Sequence, residues 1–157
     1  MEEQDRVAIV HQFGRTYRAF MAAFELQVGH PLPRWRVMIA LHDQGGESSQ
    51  KRLVERLRVD PGALTRQLKA LERLGWIARS MDERDNRVTN VRLTETGLAV
   101  TEAALPRRTA FLHDTMAALP DDALAALSSA LGMLEARIGE VAAAAGVEAA
   151  AETTAGR

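Results

Sequence analysis

"VDPGALTRQLKALERLGWIARS", residues 59–80, decides how this chain is read. Asp60 is a good N-cap, because its carboxylate can accept from the unpaired amides that open a helix. Pro61 suits the first helical position, where the N–H it lacks would have had no partner. Leu64, Leu68 and Leu71 follow at i, i+4, i+7 on one face, and Gly75 ends the helix. The opposite face carries Pro61, Gly62, Thr65, Arg66 and Lys69. Small residues at a helix N-terminus let a backbone approach closely, and the cations behind them suit base edges and phosphates, so this helix is shaped for the major groove of DNA. Arg66 is the candidate for a bidentate contact to guanine, Thr65 for a base or phosphate, and Lys69 for phosphate.

The residues on either side extend the pattern. Upstream, "QKRLVERL" (50–57) reads as a helix capped by Ser48 or Ser49 with Leu53, Val54 and Leu57 inward, and the tight turn "RVD" (58–60) joins it to the next helix. Two short helices about such a turn form a helix-turn-helix. Ser49, Gln50 and Lys51 stand at a helix N-terminus, where backbone amides favour an anion, and are candidates for phosphate. Downstream, "WIARSMDERDNRVTNVRL" (76–93) reads as a β-hairpin whose charged turn region, Met81 to Arg87, is too long for a tight turn. Such a hairpin is a wing. Arg87 and Arg84 at its tip are candidates for the minor groove. Asp85 is expected to hold the base of the wing by pairing with an Arg such as Arg73.

Outside this core the chain is helical. Val10, Phe13, Tyr17, Phe20, Met21, Phe24 and Val28 recur at threes and fours, predicting a first amphipathic helix over about 5–28. "RWRVMIALHD" (34–43) predicts a shorter one, with Trp35, Met38, Ile39 and Leu41 for burial, stopped at Gly45-Gly46. Thr94 caps a helix that Pro106 is expected to kink or interrupt, and "LPDD" (119–122) precedes a last helix carrying Leu124, Leu127, Leu131, Leu134, Ile138 and Val141. The Ala-rich end is expected to fray. The expected organisation is therefore an N-terminal dimerisation helix over 1–30, a winged helix-turn-helix over 31–98, C-terminal dimerisation helices over 99–142 and a disordered tail over 143–157. The fold class is mainly α (α+β). The apolar stripes of the first and last helices exceed what a small winged domain can cover, so a two-fold partner is their natural sink.

Composition agrees. Hydrophobic residues make up 46% of 157, enough for a real core, and cysteine is absent, which removes disulfides, thiolate ligands and thiol redox chemistry. No apolar run approaches the roughly 20 residues of a membrane span, and "MEEQDR" is not a signal-peptide start, so no membrane partner and a cytoplasmic location are expected. The formal net charge of -1 hides an asymmetry: residues 51–92 hold eleven Lys and Arg against six acids, a net +5, and the remainder carries -6. A basic surface on an acidic body suits a polyanion.

The stretch from Val59 to Gly97, with its D-x-R wing (Asp85, Arg87) and L-T-x-x-G (Leu93, Thr94, Gly97), is similar to the winged helix-turn-helix of the MarR family of bacterial transcriptional regulators. The resemblance extends over about 34–98. It implies a homodimer whose N- and C-terminal helices interlock, two winged domains on a palindromic operator of double-stranded DNA, and repression relieved by a small molecule bound between dimerisation helices and DNA-binding domain. Several MarR-like proteins respond to aromatic carboxylates or phenols. Tyr17, Trp35, Met38 and Phe24 are candidate walls for such an effector, with His11, Arg15, Arg18 or His42 as polar anchors. No other cofactor is expected.

Three rival readings are weaker. A zinc-responsive regulator would draw on His42, His113, Asp114 and Glu25, but no ligand spacing supports a metal site. An enzyme would need a nucleophile with its base, paired carboxylates or a phosphate loop, and "GHPLP" and "DQGGESS" lack the spacing of a phosphate fingerprint. A winged-helix protein-interaction module would turn the +5 segment toward an acidic protein instead of DNA.

Overall fold

Capping chemistry sets the frame of this molecule, and the computed structural model, which describes residues 2–155 with side chains to 145, shows each cap in place. Helix α1 spans Glu3–Val28 and stops where Gly29 turns left-handed, φ 87°, with its amide donating to the Glu25 carbonyl at 2.9 Å. Helix α2, Leu32–His42, follows at once. Strand β1, Glu47–Ser49, leads into α3, Gln50–Leu57, whose first turn is closed by Arg52 N–H donating to Ser49 Oγ at 3.2 Å. Arg58 takes the left-handed conformation, φ 49°, to reverse the chain. Asp60 then caps α4, Pro61–Arg73, accepting from the Ala63 amide at 2.9 Å. Strands β2, Ile77–Met81, and β3, Thr89–Leu93, form the wing. Helix α5 is Glu95–Met116 and α6 is Asp121–Ala155.

The sheet is antiparallel with order β1-β3-β2, so β3 lies in the middle. The hairpin was legible in the sequence; β1 was not. "ESS" has no apolar alternation, and it is a strand only because β3 offers it a partner, Ser48 opposite Val91.

The chain forms two compact units, Met1–Leu112 and His113–Arg157. In the first, Met38, Leu41, Leu53, Leu64, Leu68 and Leu71 are fully buried with Val91 from the sheet, which makes the core of the winged domain. Each such side chain contributes about 1.5–3 kcal/mol of burial. A second cluster joins Phe24 and Val28 of α1 to Trp35 of α2 and Ala104 and Phe111 of α5, with Phe24 and Phe111 rings edge-to-face at 5.5 Å.

Two expectations need correcting. Pro106 neither ends nor divides α5, which runs through it from Glu95 to Met116; the proline removes one helical amide, and packing of Ala104 and Phe111 on either side keeps the helix together. Helix α6 continues to Ala155 where fraying was expected from 143, in keeping with the helix preference of alanine. Side chains of the tail from 146 on, and residues 156–157 altogether, lie outside the described residues.

Candidate nucleic-acid interface

Leucines place the reading face. With Leu64, Leu68 and Leu71 buried, α4 turns Pro61, Gly62, Arg66 and Lys69 outward, all exposed. Thr65 is half-buried beside them, and its hydroxyl is already occupied: it donates to the Pro61 carbonyl at 2.9 Å and accepts from Gln50 Nε2 at 3.1 Å. Gln50 and Thr65, expected as separate contacts to DNA, are thus tied together across the helix-turn-helix. Ser49 Oγ is committed to its cap, while Lys51 is exposed at the start of α3.

Arg84 and Arg87 stand exposed in the wing tip. That tip is organised by Asp82, which the sequence reading missed. Its Oδ1 accepts from the Arg84 and Asp85 amides at 3.0 and 3.2 Å, and its Oδ2 accepts from Asn90 Nδ2 at 2.9 Å. These bonds, the Arg84 amide first, hold the carboxyl below the usual carboxylate range. An aspartate that collects the amides two and three residues on is a turn signature, so the signal was present in the sequence.

The expected Arg73–Asp85 pair does not form. Asp85 instead accepts from the Arg87 amide at 3.0 Å, and the ion pair between α4 and the wing is Glu72–Arg79, at 2.6 Å. That hydrogen bond lowers the Glu72 pKa. Arg73 is exposed on α4.

At the other end of the wing, α5 grips the junction between α4 and β2. Thr94 N–H donates to the Trp76 carbonyl at 3.0 Å, Thr94 Oγ1 donates to the Gly75 carbonyl at 2.6 Å, and the Gly97 amide donates back to Thr94 Oγ1 at 3.0 Å. Trp76 in turn meets His30 edge-on at 5.4 Å. Burial, then Arg107 and Arg34, lower the pKa of His30.

Of the residues expected to form an effector pocket, Trp35 and Phe24 are brought together, their ring centroids 6.4 Å apart, and the others lie elsewhere. Met38 is in the winged core and Trp35 in the second cluster with Phe24. His11, Arg15, Tyr17 and Arg18 are exposed along α1, Tyr17 stacked on Phe13 at 6.4 Å. His42 lies 4.0 Å from Glu102 and lines an open cavity of about 400 Å³ with Gly45, Arg92, Thr94 and Glu95. Sequence spacing on one helix could not reveal this division, because Trp35 and Met38, three residues apart, face two different cores. Among the described residues no group of three or more His, Cys, Asp or Glu is placed to hold a metal ion. No helix among them is long and apolar enough to cross a membrane.

A helix-turn-helix followed by this wing matches the MarR family model over residues 31–89. Residues 31–89 are thus similar to the MarR family. Over 90 residues the chain is 38% identical to the HTH-type transcriptional regulator TtmR of Methylorubrum extorquens (strain PA1), which covers 57% of this chain and 44% of that protein. The chain spans about half the length of the curated relatives it matches. In fold it is similar to the organohalide-sensing regulator RdhR with 2,4-dichlorophenol bound, at a TM-score of 0.79, 18% identity and coverage of 87% and 82% of the two chains. It is also similar to a mutant MarR from E. coli complexed with operator DNA, at 0.74, 20% identity, 85% and 99%. At these identities the likeness concerns the MarR-type fold, including the helices that flank the winged domain.

Proposed function

We propose that this chain is a sequence-specific DNA-binding regulator of transcription, a homodimeric repressor of a palindromic operator, and not an enzyme. The observation that carries the reading is the joint presentation of Gly62, Arg66 and Lys69 on the outer face of α4 and of Arg84 and Arg87 at the wing tip. None of the four cations among them takes part in an ion pair among the described residues. Free cations on a helix face and a wing tip suit phosphates and base edges in adjacent grooves. A second copy supplies the cover for Val10, Phe13 and Tyr17 of α1 and, independently, for Leu131, Leu134 and Ile138 of α6, all more than two-fifths exposed in the single chain. Two-fold symmetry in the protein then sets the symmetry of the operator. Release by a small aromatic or phenolic acid completes the proposal, supported by the phenol bound to RdhR. Such a role belongs in the cytoplasm of a bacterium.

Fluorescence anisotropy tests it: the protein is titrated onto duplex DNA from upstream of its own coding sequence and onto a scrambled duplex at the same salt. Preferential binding that weakens with salt is expected. Absence of binding to either duplex at low salt refutes it. Light scattering giving the mass of one chain refutes the dimer.

A further inference from the structure

The Gln50–Thr65 bond does more than set the angle between α3 and α4. A hydroxyl has one hydrogen, and that of Thr65 is given to the Pro61 carbonyl, which can only accept. Toward Gln50 the Thr65 oxygen is therefore an acceptor, and the Gln50 group 3.1 Å away has to be its amine, not its carbonyl. The amide cannot flip without losing the bond. Gln50 is left with Oε1 and its second Nε2–H unpartnered among the described residues, an acceptor beside a donor, bonded to the residue that precedes the exposed Arg66 on α4.

Base edges in the major groove distinguish such a pair. Adenine shows an N6–H donor beside the N7 acceptor, guanine shows two acceptors, and neither pyrimidine offers a donor together with an acceptor. Guanine would ask Gln50 for two donors, and one is already spent on Thr65. We propose that Gln50 reads adenine in each operator half-site, with Thr65 as the residue that orients it. The proposal rests on the DNA-binding reading above and moves Gln50 from the phosphate contacts to the specificity-determining ones.

Selection from a random duplex library tests it in the full-length protein. The wild type is expected to enrich a motif with adenine at one position per half-site, and Gln50→Ala to lose the preference at that position while the others persist. Thr65→Val should relax the same position, and Thr65→Ser, which keeps the hydroxyl, should restore it. Two base analogues then test the contact from the DNA side: 7-deazaadenine, which lacks N7, and purine, which lacks the N6 amine. Each should weaken wild-type binding by about five- to 100-fold at that position and leave Gln50→Ala unaffected. A Gln50→Ala motif that retains the adenine overturns the proposal, as do analogues without effect on the wild type. Equal weakening at every position assigns Gln50 to phosphate and also overturns it. A wild type that enriches nothing refutes the DNA reading itself.

Discussion

Replacing Gly97 by Ala tests the grip of α5 on the winged domain. A methyl group built there points into the carbonyl of Trp76 and stands 2.7 Å from its carbon and 3.0 Å from its Cα. Ordinary carbon contacts lie at about 3.5–4.0 Å, so the backbones have to part by roughly 1 Å. Neither neighbour is a side chain that can swing away. Overpacking of this kind costs about 1–3 kcal/mol. The separation also strains Thr94 N–H to Trp76 O and Thr94 Oγ1 to Gly75 O, at 3.0 and 2.6 Å, and each hydrogen bond lost adds about 0.5–1.5 kcal/mol. Alanine returns about 1 kcal/mol of helix propensity. The net expectation is about 2–4 kcal/mol, which for a chain of this length lowers Tm by about 5–15 °C. Thermal unfolding followed by circular dichroism at one protein concentration measures it. A variant as stable as the wild type, or stabilised by the usual gain of Gly to Ala in a helix, would refute the packing argument.

Other perturbations probe separate parts of the molecule. Arg87→Ala should weaken operator binding by about tenfold or more without lowering Tm, since Arg87 is exposed at the wing tip; unchanged anisotropy excludes the minor-groove role. Asp60→Ala removes the acceptor for the Ala63 amide and should destabilise by about 1 kcal/mol, read as a lower urea midpoint with unchanged slope. His30 is held neutral by burial and by Arg107 and Arg34, so its pKa is lower folded than unfolded and unfolding takes up a proton. Its contribution to stability is intact above the free imidazole value of about 6.5 and falls as the pH drops through it. The urea midpoint of the wild type should therefore decline more between about pH 7.5 and about pH 5.5 than that of His30→Gln; equal declines would show that His30 is not the group responsible.

Much of this fold was legible because its signals are local. Asp60, Ser49 and Thr94 cap the helices expected of them, and the leucine spacing of α4 names its buried face. What escaped depends on contacts distant in sequence. Strand β1 exists through Val91, and the Gln50–Thr65 bond joins residues 15 apart whose separate places, one at a helix N-terminus and one on the face opposite the leucines, suggested two free contacts.

The wing support shows the limit most clearly. Opposite charge on Arg73 and Asp85 made a reasonable pair, but β2 runs five residues from Ile77 to Met81 before the tip begins. At about 3.3 Å per residue that carries the chain roughly 13 Å, farther than an arginine on the last turn of α4 extends. An acid meant to hold the wing to α4 has to meet a cation near the start of the strand. Ile77 is buried, and alternation puts Arg79 on its side of the sheet, facing α4, where Glu72 lies one position before Arg73. Asp85, out of reach of the helix, is left to order the loop that displays Arg87. The wing thus divides its labour: Glu72–Arg79 fixes its base to α4, and Asp82 and Asp85 shape the tip, so that neutralising either aspartate should disturb Arg84 and Arg87 and leave α4 in place.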